Sequence, residues 1–141
     1  EGTRTAAFSA GALATIDPAA ADAARTLVKA CGGGVAAAID FVGAEATTKF
    51  GFDVLRKGGT LVVVGLFGGA FQTPIPMLPL RAVAIQGSYV GTLAEMSELM
   101  ALVRAGQVDA IPLSPRPLAE AEATLNDLKG GRIVGRAILR P

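Results

Sequence analysis

The hydrophobic positions of this chain fall into two long runs, Val35-Ala-Ala-Ala-Ile-Asp-Phe-Val-Gly43 and Thr60-Leu-Val-Val-Val-Gly65, and each stops at a glycine. A run apolar at nearly every position, rather than at alternate ones, predicts a strand covered on both faces, as parallel strands are. A helix pattern precedes each run. In residues 19–30 the pairs Ala23/Leu27 and Ala24/Val28 repeat at four-residue spacing, and Gly32 to Gly34 supply a stop. In residues 44–57 Phe50, Val54 and Leu55 share a helical side, Lys57 suits the negative helix end, and Gly58-Gly59 terminate it. Upstream, residues 14–17 read as a short strand. It ends at Asp17, whose carboxylate can accept from free helix amides, and Pro18 suits a first helical position.

Two successive crossovers of this length predict parallel strands joined by right-handed connections, hence a doubly wound α/β sheet. Residues 68–79 change character. Pro74, Pro76 and Pro79 argue for an extended crossover rather than a regular helix. Residues 81–90 give another strand, and Thr92 with Glu95 fits a reciprocal capping box opening the next helix. Leu93, Met96, Leu99, Met100 and Val103 form its apolar stripe, expected in the core, and Gly106 closes it. Pro112, Pro115 and Pro117 mark a composition shift and the expected domain boundary. A short amphipathic helix through Leu118, Ala121, Leu125 and Leu128 and a last strand over residues 133–139 finish the pattern.

Composition narrows the chemistry. The 141 residues are 51% hydrophobic and 18% charged with a net charge of +1, which argues for a folded domain and against nucleic-acid or membrane partners. No run approaches the roughly 20 apolar residues of a bilayer span, and residues 1–10 do not read as a signal peptide; a cytoplasmic location is expected. Cys31 is the only cysteine and histidine is absent, so the chain cannot build a zinc site from three or four Cys or His ligands.

The glycine clusters do not make a phosphate loop. Gly32 to Gly34 precede a strand, and Gly65-Leu-Phe-Gly-Gly69 follows one but leads into prolines with the wrong spacing. Phe41-Val-Gly43 and Val64-Gly65 sit at strand carboxyl ends, the rim at which open α/β sheets bind ligands, although plain strand termination reads the same way. Asp40 reads as a hydrogen-bonded structural carboxylate. Ser88 and Tyr89 have no histidine with which to form a triad, and Arg136 in the last strand reads as an exposed arginine or an anion partner. No catalytic residue is assigned.

The order and wording of these elements resemble the C-terminal, coenzyme-domain portion of the zinc-dependent alcohol dehydrogenase branch of the medium-chain dehydrogenase/reductase family. The resemblance rests on Ala10-Gly-Ala12 with Ala14-Thr-Ile-Asp17, Ala38-Ile-Asp-Phe-Val-Gly43 and Leu55-Arg-Lys-Gly-Gly-Thr-Leu-Val-Val-Val-Gly65. It continues through Ile85-Gln-Gly-Ser-Tyr-Val-Gly91 and Leu128-Lys-Gly-Gly-Arg-Ile-Val-Gly-Arg-Ala-Ile-Leu139. It implies a partial Rossmann-type sheet lacking its first strands over residues 1–112, and a C-terminal helix-strand return segment over 113–141 that packs on the absent catalytic domain.

It also implies that Phe41, Val42 and Gly43 pass the adenosine half of NAD or NADP, and that Val64 and Gly65 run beside the nicotinamide ribose. Ser88, Tyr89 and Val90 would approach the carboxamide through backbone groups, and Arg136 would contact the pyrophosphate. The family's zinc ligands, proton relay and phosphate loop have no counterpart in these residues. Glu1 would lie just after the acidic position that reads the ribose, so NAD and NADP are not distinguished. Gly2, Thr3 and Thr5 make residues 3–9 a poor helix, and the start is expected to be a truncation. The activity implied for the full-length protein is hydride transfer between a primary or secondary alcohol and the nicotinamide coenzyme, giving the aldehyde or ketone, in a homodimer or homotetramer, with this chain alone inactive. The alternatives are a non-catalytic dimer-forming fragment and a zinc-free quinone or enoyl reductase of the same superfamily.

Overall fold

The computed structural model describes residues 2–109 and 111–141, so Glu1 and its implied place beside the ribose-reading position lie outside the described residues. The chain forms two compact units, one of residues 16–91 and one of residues 1–15 with 92–141.

In the first unit α2 (Ala23–Ala30), β1 (Val35–Asp40), α3 (Glu45–Asp53), β2 (Leu55–Val63), α4 (Met77–Arg81) and β3 (Ala84–Gly87) follow one another, after α1 (Gly2–Ser9) of the other unit. The strands form one parallel sheet in the order β1-β2-β3, with Ala38 opposite Leu61 and Leu61 opposite Ile85. The doubly connected parallel arrangement expected from the two apolar runs is therefore present.

Several boundaries differ from the pattern reading, each for a local reason. Gly58-Gly59 do not end a helix. α3 stops at Val54, and β2 begins at Leu55 opposite Val35, then loops out Arg56 to Gly59 before Thr60 meets Ala37. The glycines serve this bulge, Gly58 at φ 76°. Pro79 does not prevent α4, because it occupies the first turn, where its missing N–H has no intrahelical partner to lose. Residues 14–17 form no strand and pair with none of the described strands. Asp17 still behaves as expected: its Oδ1 accepts from Ala19 N–H at 3.0 Å, but the helix itself starts only at Ala23.

The core of this unit sits where α3 crosses the sheet. Phe52, Leu55 and Leu61 are buried and are packed by Ala38, Val63, Phe71, Met77, Leu78 and Val83. Gly51 makes the crossing possible, because a Cβ there would lie 2.8 Å from Leu61 Cδ1; a glycine inside a helix costs about 1 kcal/mol relative to alanine, offset here by the close helix-sheet approach. The second face of β1 is not covered as expected. Ile39 is 58% exposed. Along the free edge of β1 runs an open groove of about 650 Å³ lined by Ile16, Leu27, Val35, Ile39, Phe50 and Val54.

In the second unit, α1 forms over Gly2–Ser9 despite its weak helix formers, and α5 (Leu93–Arg104) opens on the expected box. Thr92 N–H donates to Glu95 Oε2 at 2.6 Å and Glu95 N–H donates to Thr92 Oγ1 at 3.2 Å. The apolar stripe of α5 is not core here, since Leu93, Met96, Leu99, Met100 and Val103 are all exposed. The cap signals that nucleate a helix are local, whereas burial depends on what lies against it.

β4 (Leu113–Pro117), a 3₁₀ turn over Leu118–Glu120, α6 (Ala121–Lys129) and β5 (Arg136–Arg140) make a parallel β-α-β unit. β4 was hidden by its prolines. Arg136 N–H donates to Pro112 O at 2.8 Å, so even-numbered residues face β5 while Pro115 and Pro117 face the open edge, where no N–H is needed. Asp127 ties the unit together by accepting from Arg116 Nη1 at 2.7 Å and Arg132 Nε at 3.0 Å. The Arg116 hydrogen bond, then that of Arg132, hold its carboxyl below the ordinary 3.8 against the opposing pull of desolvation.

Candidate coenzyme-binding rim

β1 and β2 continue side by side past their ends. Phe67 N–H donates to Val42 O at 3.1 Å, Gly68 N–H donates to Gly43 O at 3.0 Å, and Ala44 and Gly68 form a parallel bridge. Between these bonds the two strand ends touch backbone to backbone. A Cβ on Gly43 would run into the carbonyl of Gly65, and one on Gly65 into the carbonyl of Val42. Both glycines are thus required by each other rather than by a free loop, and Gly43 also has φ 70°.

Asp40, the last residue of β1, organises both ends. Its carbonyl accepts from Val64 N–H at 2.9 Å and Gly65 N–H at 3.0 Å. Its Oδ1 accepts from Val42 N–H at 2.9 Å and Gly43 N–H at 3.0 Å. Its Oδ2 accepts from the hydroxyls of Thr47 at 2.9 Å and Thr48 at 2.8 Å in the first turn of α3. Thr47 Oγ1 in turn accepts from Ala44 N–H at 3.2 Å, doing half the work of a capping box that Ala44 cannot complete. Burial alone would raise the Asp40 carboxyl; the bonds from Gly43, Thr48, Val42 and Thr47 outweigh it and hold the group below the ordinary 3.8.

The four amides at 42, 43, 64 and 65 are therefore occupied from within. What this part of the rim turns outward is carbon surface: Phe41, Leu66 and Phe67 are all exposed, Phe67 by 82%. β3 ends differently. Ser88 N–H donates to Val63 O at 3.0 Å, whereas among the described residues the N–H groups of Tyr89 and Val90 donate to no backbone carbonyl. Tyr89 and Val90 are 75% and 76% exposed. Val90 takes φ 47°, a left-handed conformation that strains a β-branched residue.

The structure thus brings Phe41, Val42, Gly43, Val64 and Gly65 into one paired rim, and puts Ser88, Tyr89 and Val90 at the end of the neighbouring strand. Arg136 belongs to the other unit, exposed at the start of β5. Pattern reading missed the exposed Leu66 and Phe67, and the two threonines bound to Asp40. A signal for the latter existed: an aspartate closing an apolar strand, then a glycine turn, then Thr47-Thr48 where a helix begins. No group of three or more potential metal ligands occurs among the described residues.

Residues 1–105 match the family model described as zinc-binding dehydrogenase. The chain is 34% identical over 110 residues to the NAD-dependent alcohol dehydrogenase of Sulfurisphaera tokodaii, covering 78% of this chain and 32% of that protein. It is 33% identical over 129 residues to an alcohol dehydrogenase of a Moraxella species, covering 92% of this chain and 38% of that one. Among solved structures, the alcohol dehydrogenase of the hyperthermophilic archaeon Aeropyrum pernix superposes with a TM-score of 0.77 at 33% identity, over 86% of this chain and 35% of its own. The chain spans about a third of the length of the curated relatives it matches.

Proposed function

We propose that this chain, which belongs to the zinc-binding dehydrogenase family, is the coenzyme-domain portion of an NAD(P)-dependent alcohol dehydrogenase acting in the cytoplasm on a small alcohol, aldehyde or ketone. The observation that carries the reading is the paired rim at the carboxyl ends of β1 and β2, the position at which open α/β sheets take dinucleotides. Phe41, Val42 and Gly43 pass the adenosine half, and Val64 and Gly65 border the nicotinamide ribose. Both stretches meet the ligand with carbon surface, since the amides of Val42, Gly43, Val64 and Gly65 are held by Asp40 and the carbonyls of Val42 and Gly43 by Phe67 and Gly68. The N–H groups of Tyr89 and Val90, beside Ser88, face the carboxamide, and Arg136 pairs with the pyrophosphate. When bound, the coenzyme supplies the hydride acceptor or donor.

Zinc does not fit these residues. With one cysteine, no histidine and no ligand cluster among the described residues, they contribute orientation rather than a Lewis acid, and the metal is held elsewhere in the enzyme. Residues 1–112 form the partial coenzyme domain with its following helix, and residues 113–141, apart from Arg136, return to pack on the catalytic domain. The free edge of β3, exposed at every position from Ala84 to Gly87, supports strand pairing in a homodimer or homotetramer.

The test compares this chain with the complete polypeptide carrying it. NADH fluorescence enhancement and alcohol-dependent reduction of NAD or NADP are both expected from the complete polypeptide, and neither is expected from residues 1–141 alone. A complete polypeptide that binds neither dinucleotide overturns the reading, and turnover by the 141 residues alone overturns the assignment of the remaining machinery elsewhere.

A further inference from the structure

We propose that Asp40 is a positioning residue for the coenzyme, fixing the adenosine-side and nicotinamide-side loops relative to each other through four amides and anchoring both to α3. The inference rests on the coenzyme reading above.

Its basis is the division of labour within one residue. The carbonyl of Asp40 holds the loop after β2 through Val64 and Gly65, while the carboxylate holds the loop after β1 through Val42 and Gly43. The remaining oxygen is gripped by Thr47 and Thr48, so the carboxylate cannot rotate without breaking a bond on one side or the other. Asp40 is itself only 7% exposed, and its side chain is spent on protein partners, so it acts on the ligand only through Val42, Gly43, Val64 and Gly65. Because the loops touch at Gly43 and Gly65, a shift of one moves the other. Removing the carboxylate therefore displaces both binding stretches together and weakens their contacts with the coenzyme in ground and transition state alike, which shows as a raised coenzyme KM.

The carboxylate's charge is not what the role requires. An asparagine can accept from the Val42 and Gly43 amides with its oxygen and donate to the Thr47 and Thr48 hydroxyls, which rotate to accept. Asp40→Asn should therefore preserve the rim where Asp40→Ala does not.

The experiment measures coenzyme KM and kcat in the complete polypeptide carrying this segment. Asp40→Ala is expected to raise coenzyme KM by about 10- to 100-fold with kcat at saturating coenzyme within about threefold, and Asp40→Asn to stay within about threefold of wild type on both. Thr48→Val, which removes one bond to Oδ2 without changing the side chain's shape, is expected to raise KM by about three- to tenfold; it carries the test if Asp40→Ala does not fold. Lower melting temperature with unchanged coenzyme KM in Asp40→Ala, or in Thr48→Val where the alanine variant is unfolded, would reduce Asp40 to a fold-stabilising group and overturn the role while leaving the coenzyme reading intact. An asparagine variant as damaged as the alanine one also overturns it, in favour of a direct charge effect. Wild-type protein that binds no dinucleotide removes both readings at once.

Discussion

Arg81 holds Phe52 twice: its Nη2 donates to the Phe52 carbonyl at 3.1 Å, and its guanidinium carbon lies 4.8 Å from the centroid of the Phe52 ring. The same nitrogen donates to the carbonyl of Leu55, so a cation from α4 closes the C-terminal end of α3, where orphan carbonyls and the negative dipole end favour it. Phe71 completes the cluster, its ring 5.3 Å from that of Phe52.

Replacing Arg81 by alanine should destabilise the unit by about 2 to 4 kcal/mol, the combined scale of charge-assisted hydrogen bonds and a cation-π contact. Arg81→Lys should recover less than half of this, since an ammonium placed at the two carbonyls leaves no planar cation to stack on the Phe52 ring. Urea denaturation followed by circular dichroism measures both; an alanine variant within 0.5 kcal/mol of wild type, about the noise of surface substitutions, would show the clamp to be idle.

The glycines separate into two kinds. Gly43→Ala and Gly65→Ala drive a methyl group into backbone and should each cost at least about 4 kcal/mol, or abolish folding. Gly58→Ala has only its φ of 76° to contend with, nothing standing within 4 Å of the new carbon, and should cost about 1 to 2 kcal/mol. Equal losses at positions 58 and 65 would contradict the backbone contact.

Acid should unfold the chain partly through Asp40, with Asp127 and Glu95 acting in the same direction. Each carboxyl is lower in the folded state than its ordinary value, so the unfolded chain takes up protons first. The stabilisation is complete above the unfolded value, 3.8 for Asp40, and is lost as pH falls through the lower folded value. Unfolding free energy measured against pH should therefore drop more steeply below pH 4 in wild type than in Asp40→Asn. Parallel curves would mean that Asp40 titrates alike in both states.

Arg136→Ala in the complete polypeptide should weaken coenzyme binding by about 1.5 to 3 kcal/mol if its guanidinium pairs with phosphate. Its exposure in β5 predicts little change in stability, so affinity measured by calorimetry is the informative quantity. Unchanged affinity would return it to the class of exposed strand arginines.

Those parts of the fold governed by short-range rules were legible from residues alone. The apolar runs ending at Gly43 and Gly65, the Thr92-Glu95 box and the Asp17 turn all stand where their chemistry put them. What escaped depended on neighbours. β4 went unread because the tolerance of Pro115 and Pro117 within a strand is decided by which edge β5 leaves open. Gly58-Gly59 looked like a helix stop because a bulge is visible only once Val35 and Ala37 are seen opposite Leu55 and Thr60. The α5 stripe and the outer face of β1 were expected in the core, since periodicity reports which side of an element is apolar but not what comes to cover it. At the rim, the strand ends were readable, whereas the dual grip of Asp40 required its carbonyl and carboxylate to be located separately.

The contact between Gly43 and Gly65 also constrains how this protein can diversify. In a packed core, a larger side chain at one position can be accommodated by a smaller one opposite, so paired substitutions drift together. Here the obstacle on each side is main chain, which no substitution can shrink. The two positions should therefore be intolerant independently, with no second-site suppressor at the partner, and a saturation library selected for folding should return glycine at both however many other rim residues are allowed to vary.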